Sequence, residues 1–342
     1  MVRSRVPLVV LAIALLPFVP ASSPAVGITR EPVTFTVKNP LNPLRTYTIQ
    51  GVLIRPTAGC TQSVLLAVHG LSYGKWSWDF PLRPATYSVA QALAARGYAV
   101  VAIDRLGYGD SHGTGRPGNP NGYSLTVQGY GEMTAQIAKR LRAGTYGAAN
   151  PQPFAHVGLM GHSAGSEAVE LAAGLHPMIA DVLIPTAYTH EPFVNNQWLI
   201  REWSQDNIRA AQDDYEYFET NPTIRAQDMY YLANADADVV ALDNQMANLT
   251  PSGEVFSIGS QPSRWVIGLI KIPTLLVLGD KDELFPARFG ANDLSLFISA
   301  SDKTLLVAPN DGHAFMLQRN AQVTNTAIAN WLDAHNSVFP KC

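Results

Sequence analysis

Apolar and polar residues alternate over residues 33–37 and again over 47–54, with Asn39-Pro40 and Asn42-Pro43 between the two runs. Strict alternation marks strands with one buried face, so this pair predicts an antiparallel hairpin with a loop longer than the tightest turns. From residue 63 the pattern changes. Continuous apolar runs at 63–68, 98–103, 157–160, 273–278 and 304–307 read as strands buried on both faces. Between them lie stretches of helix formers at 89–96, 126–142 and 166–173, each followed closely by a glycine (Gly97, Gly144, Gly174). Buried strands alternating with helices predict a mostly parallel sheet covered by helices on both faces. Between Pro185 and Pro273 that rhythm stops. The segment is dense in aromatics, among them Trp198, Trp203, Tyr215, Tyr217, Phe218, Tyr230 and Tyr231, with helix-like stretches at 198–212 and 227–233.

The most informative polar interruption is Gly161-His162-Ser163-Ala164-Gly165, which spells G-x-S-x-G between an apolar run and a helix-forming one. Strand, sharp turn and helix is the context in which such a serine is held on a strained elbow with its hydroxyl presented. If Ser163 is a nucleophile, it needs a base and an acid to orient that base. Both follow in chain order. The run ending at Leu278 opens into Gly279-Asp280-Lys281-Asp282-Glu283, and the run ending at Val307 leads to Asn310-Asp311-Gly312-His313. Two further strand ends carry polar loops: His69-Gly70-Leu71-Ser72, and Asp104-Arg105-Leu106-Gly107-Tyr108-Gly109-Asp110-Ser111. Loops at the carboxyl ends of parallel strands are where an open α/β sheet presents its chemistry.

These four motifs, in this order over most of the chain, resemble the α/β-hydrolase superfamily. The resemblance implies an α/β-hydrolase fold: a mostly parallel central sheet, helices on both faces, and a helical cap inserted between strands 6 and 7. Residues 26–185 and 271–342 then form the core, and 186–270 the cap. It implies a Ser163–His313–Asp282 triad, with Asp280 or Glu191 as alternative acids, and backbone N–H groups of Leu71 and Ala164 as the oxyanion hole. Asp104 and His69 are expected to shape their loops, and His162 to be packed in the fold. Tyr73, Trp76, Trp198 and Trp203 are candidate substrate-binding residues, with Trp78, Tyr230 and Tyr231 next, because small-ligand pockets are mainly apolar. The implied activity is hydrolysis of a carboxylic ester through an acyl-enzyme, with no cofactor. Acyl transfer, lyase or haloperoxidase chemistry on the same triad is the alternative, and a non-catalytic secreted binding protein is a more distant one. Serine rather than aspartate at the elbow argues against the epoxide-hydrolase and dehalogenase branches.

Composition narrows the setting. Of 342 residues, 47% are hydrophobic and 15% charged, enough for a sizeable core and too little charge for disorder. A net charge of −3 without a basic cluster speaks against nucleic acid as a partner. No Cys/His grouping has the spacing of a metal site. Residues 1–25 read as a signal peptide: Arg3 and Arg5, an apolar stretch over 6–19, then small residues that permit cleavage after Ala21 or Ala25. The apolar stretch is too short and too proline-interrupted to span a bilayer, so the expectation is a secreted protein with no membrane span. Its two cysteines, Cys60 and Cys342, can then pair, and Asn248-Leu249-Thr250 is a glycosylation sequon.

Overall fold

The computed structural model describes residues 27–60, 62–111, 120–190 and 216–342. The two alternating runs form strands β1 (Ile28–Asn39) and β2 (Asn42–Pro56), paired antiparallel. The regular ladder ends at Lys38 opposite Thr46, so the loop is longer than the tightest turns, as the sequence suggests; within it Asn39 lies opposite Asn42, and Pro43, Leu44 and Arg45 bulge out. The side chain of Asn39 closes the tip: its Oδ1 accepts from Leu41 N–H at 3.2 Å and its Nδ2 donates to Ser124 O at 3.0 Å.

The continuous apolar runs form β3 (Ser63–Val68), β4 (Ala99–Ile103), β5 (His156–His162), β7 (Thr274–Gly279) and β8 (Lys303–Ala308), joined by the buried β6 (Val182–Thr186), which the sequence did not single out; contrary to expectation β8 lies at the sheet edge and only its Ala308 is buried. Together with the hairpin they make one eight-stranded sheet in the order β1-β2-β4-β3-β5-β6-β7-β8, parallel from β4 onward. The chain goes from β3 to β4 on one side and returns to β5 on the other. The carboxyl ends of β3 and β5 therefore flank a switch point, where open sheets of this type leave a crevice.

Period-2 side-chain alternation divides the core. Val64, Leu66 and Val68 of β3 pack with Ile137 and Leu141 of α3 (Val127–Ala143) and with Ala168 and Val169 of α4 (Ala164–Leu175). Leu65 and Ala67 face the other way, onto Leu93 of α2 (Val89–Ala95) and Ile328 and Leu332 of α9 (Ala321–Ala334). Helices thus cover both faces. Each fully buried Leu, Ile or Val contributes about 1.5–3 kcal/mol of transfer free energy, which is why strands flanked on both sides read as unbroken apolar runs. Thr126 caps α3 by accepting from Gly129 N–H, and Gly144 ends it at φ 65°. α4 starts directly after Ser163, two residues earlier than the helix formers indicate, and runs through Gly174 to Leu175.

A disulfide joins Cys60 to Cys342, with Cα atoms 5.5 Å apart. Phe339, fully buried, stacks on Tyr98 at 5.8 Å, and Ser63 Oγ donates to Pro340 O at 2.5 Å, so the carboxyl-terminal tail is also held by packing.

The strand rhythm does stop after β6. Among the described residues of this segment are α5 (Pro222–Met229), α6 (Ala237–Met246), α7 (Ser252–Ile258) and a two-residue ladder of Tyr217–Phe218 with Thr250–Pro251. The stretch 198–212 lies outside the described residues, with Trp198, Trp203 and Glu191. The helix expected over 227–233 breaks at Tyr230: α5 ends at Met229 and a separate 3-10 turn spans Leu232–Asn234. Met229 O there accepts from Ala314 N–H, so a long-range partner takes the carbonyl that a continuing helix would use.

Candidate active site

Ser163 joins β5 to α4 with φ 54° and ψ −123°, a left-handed-side conformation that a side-chain-bearing residue holds only under constraint. The constraint is visible. Ser163 N–H donates to Thr186 O at 2.9 Å, while Ser163 O accepts from Ser166 N–H at 2.8 Å. Ser166 Oγ in turn bridges the backbone of Thr186. Gly165 is obligatory, since a Cβ there would lie 2.2 Å from Val68 O and 2.5 Å from His69 O. Gly70 lets the β3 loop approach: its Cβ position is 3.0 Å from Ser163 Cβ. Ser163 is 7% exposed.

Asp282 and His313 meet from the ends of β7 and β8. His313 Nδ1 lies 2.9 Å from Asp282 Oδ2, and both side chains are fully buried. Asp282 Oδ1 accepts from the N–H groups of Leu284 at 2.8 Å and Phe285 at 3.0 Å. The carboxylate is therefore fixed by backbone, and Nδ1 must carry the proton that faces it. His313 Nε2 is buried and makes no hydrogen bond to the protein among the described residues. The imidazole is clamped between Phe285 at 5.6 Å and His162 at 4.9 Å. Of the alternative acids, Asp280 contacts Lys281 Nζ at 3.3 Å, and Asp311, buried nearby, accepts from Thr324 Oγ1.

His162 is buried, donating from Nε2 to His313 O at 3.0 Å. His69 is buried too, with Nδ1 on Gly70 O at 2.7 Å and Nε2 accepting from Arg105 N–H at 3.0 Å. Burial, reinforced for His69 by the Arg105 charge, holds both imidazoles well below the ordinary histidine range and therefore neutral. Asp104 accepts from Lys75 N–H and Nζ and from Asp110 N–H, fastening its own loop to the stretch after Leu71. Ala164 follows Ser163 and Leu71 follows Gly70, the residue packed against Ser163; both are buried in one cluster, and neither N–H donates to another protein group among the described residues.

The aromatic candidates divide. Tyr73 and Trp78 are fully buried, with ring edges on His162 at 5.4 and 6.5 Å, so they wall the site from within. Trp76 borders a cavity of about 590 Å³ with Lys75, Asp104, Asp110, Met246 and Asn248, which includes none of Ser163, Asp282 and His313. Tyr230 is buried, its hydroxyl on Asp243 at 2.8 Å. The sequon residue Asn248 is structurally engaged: its N–H donates to Ser72 O, its Nδ2 to Tyr73 O and its Oδ1 accepts from Gly109 N–H.

Three buried networks around the site were not anticipated. Arg225 forks onto Asp243, reaches Ser72 Oγ at 3.0 Å and lies 4.6 Å over the Tyr73 ring. Arg105 pairs with Glu254 of α7. Behind the elbow helix, His190 bonds Asp293 at 2.9 Å and Glu170 at 3.1 Å, close to Glu167. Burial opposes the His190 charge, yet Glu170 and Asp293 push it up to about 10, while burial lifts Glu167 to about 8. Partners this far apart in sequence leave no local pattern. The one available signal was a polar or charged residue inside an otherwise apolar helical stretch, as at Glu167 and Glu170.

A serine on a constrained strand–helix elbow, with a histidine–carboxylate pair at neighbouring strand ends, defines an α/β hydrolase. In agreement, residues 64–326 match the model of the "Alpha/beta hydrolase family", and the chain belongs to that family. No curated protein matches it. Among solved structures, it is similar to a thermophilic esterase from Thermogutta terrifontis (17% identity, 88% of this chain and 98% of that one, TM-score 0.61). It is similar also to a monoacylglycerol lipase from Paleococcus ferrophilus (16%, 90% and 99%, TM-score 0.58) and to a bromoperoxidase from Bacillus anthracis (16%, 88% and 98%, TM-score 0.62). At these identities the likeness is one of fold.

Proposed function

We propose that the protein is a secreted serine hydrolase that cleaves a carboxylic ester through Ser163, His313 and Asp282. The observation that carries this reading is the His313–Asp282 pair, which leaves Nε2 as the unbonded nitrogen at the same sheet edge as Ser163. In the reaction, Ser163 Oγ attacks the ester carbonyl carbon as His313 Nε2 takes its proton. The N–H groups of Leu71 and Ala164 receive the developing oxyanion. Collapse breaks the C–O bond and returns the proton from Nε2 to the leaving alcohol. Water, deprotonated by the same nitrogen, then attacks the acyl-enzyme and releases the acid and Ser163. Asp282 orients the imidazole and stabilises its positive form.

The described part of 186–270 supports a cap that sets substrate choice. It touches the oxyanion side through Arg225 and Asn248 on Ser72, and the base side through Met229 O on Ala314 N–H. The disulfide supports an oxidising destination, and among the described residues no helix is long and apolar enough to cross a membrane. The likeness to a bromoperoxidase favours, as a second reading, acyl transfer to peroxide in place of water.

The test is hydrolysis of short p-nitrophenyl esters by the mature chain. Ser163→Ala should lower turnover by about 10⁴-fold or more while leaving the thermal midpoint near wild type. A fluorophosphonate should add its mass to the peptide carrying Ser163. Turnover of the Ala variant within tenfold of wild type removes the assignment. Peroxide-dependent bromination outpacing ester hydrolysis selects the second reading.

A further inference from the structure

Gly70 O is the acceptor for two donors at once: His69 Nδ1 at 2.7 Å and Arg105 Nη2 at 3.0 Å. That carbonyl shares a planar trans peptide with the N–H of Leu71, and in such a unit C=O and N–H point in opposite directions. Whatever fixes the Gly70 carbonyl therefore fixes the aim of the Leu71 N–H. The same two hydrogen bonds draw electron density toward the oxygen and make the N–H opposite a stronger donor.

The arrangement behind the carbonyl is closed and dry. Arg105 donates its backbone N–H to His69 Nε2, so the imidazole must present Nδ1–H to Gly70 O. Its guanidinium lies between the rings of Tyr108 and Tyr130, at 4.7 and 4.5 Å. Arg105 Nη1 pairs with Glu254 Oε1, and Tyr108 OH donates to Glu254 Oε2 at 2.5 Å. Arg105 is 2% exposed and Glu254 0%. A buried guanidinium is costly unless paired, and as a pair it is at best weak support for stability. Here one fork of it is spent on a backbone carbonyl next to Ser163.

We infer that Arg105, held by Glu254, is a positioning residue for the oxyanion hole: from behind the peptide it aims and polarises the Leu71 N–H. The inference rests on the serine-hydrolase reading above. It also makes α7, in the segment after β6, part of the machinery that sets transition-state stabilisation.

Two variants test it. Arg105→Lys keeps a cation for Glu254 but cannot fork onto both Glu254 and Gly70 O. Arg105→Gln with Glu254→Gln removes both charges together, so no unpaired ion is left inside. Each is assayed with a p-nitrophenyl ester and with a trifluoromethyl ketone, whose serine adduct carries an oxyanion. For whichever variant folds, kcat should fall about 10- to 100-fold, part of the loss seen when an oxyanion donor is deleted. KM should stay within threefold, and the ketone should weaken by the same factor as kcat/KM. Unchanged kcat and ketone affinity, or a loss carried by KM alone, overturns the inference. Full turnover by Ser163→Ala would instead remove the reading beneath it, so the two failures are distinguishable.

Discussion

Asp282→Asn is the substitution whose outcome the geometry dictates most narrowly. The carboxylate has two distinct oxygens: Oδ1 accepts from Leu284 and Phe285 N–H, and Oδ2 faces His313 Nδ1. An asparagine must keep its carbonyl oxygen on the two backbone donors, because presenting NH₂ there would orphan both of them at about 1–3 kcal/mol each. Its NH₂ group is then the one that faces Nδ1. A donor opposite Nδ1 selects the tautomer with the proton on Nε2, and that imidazole cannot accept a proton from Ser163. The expected loss is about 10⁴-fold in kcat, the size seen for the same exchange in a serine protease, equivalent to about 5 kcal/mol of barrier. The fold should persist, since every backbone partner is retained. Asp280→Asn is the control. Among the described residues its carboxylate pairs with the exposed Lys281, an interaction worth well under about 1 kcal/mol, and kcat should change less than threefold. Steady-state hydrolysis of p-nitrophenyl acetate from pH 6 to 9 measures both. An Asp282→Asn enzyme within tenfold of wild type, or an Asp280→Asn enzyme more damaged than it, would refute the reasoning.

Replacing Cys60 and Cys342 by serine opens a loop of sequence separation 282. Chain entropy sets an upper limit on the order of 5 kcal/mol for its loss, so the guanidinium midpoint should drop clearly, and an unchanged midpoint would show that tail packing alone suffices. Stability should fall as pH rises from about 6.5 to 10. His190, Glu167 and Asp311, pushed up to about 10, 8 and 7, keep protons in the folded chain that the unfolded chain has released, and neutral His69 and His162 oppose this only below about pH 6.5. Thermal midpoints higher at pH 9 than at pH 6 would contradict this sign, and Glu167→Gln should flatten the slope.

The fold was legible because doubly buried strands have no choice but to be apolar throughout: the boundaries of β3, β4, β5 and β7 fell within a residue or two of expectation, whereas β6 was not singled out and β8 proved to be a half-exposed edge strand. The placement of Ser163, Asp282 and His313 at strand ends was legible for a related reason: each is a polar group just past a strand, where periodicity ends and spacing begins. What escaped were elements decided by tertiary contact. The bulge at Pro43–Arg45 in the hairpin loop depends on Asn39 reaching Ser124, and the helix expected over 227–233 breaks because Met229 O is taken by Ala314. Arg105 was read only as part of a loop motif, since Glu254, its partner, stands 149 residues away.

Met229 binding the base loop while Arg225 and Asn248 bind Ser72 has a consequence for how this enzyme can diversify. The segment after β6 is not a detachable module. A segment exchanged into its place would have to put a backbone carbonyl at the position of Met229 O to seat Ala314 and a guanidinium at that of Arg225 to seat Ser72, both at once. On the function proposed above, a change of substrate preference therefore calls for substitutions within the existing segment, or for joint replacement of the segment and both loops. Variation should concentrate on side chains that face neither anchor.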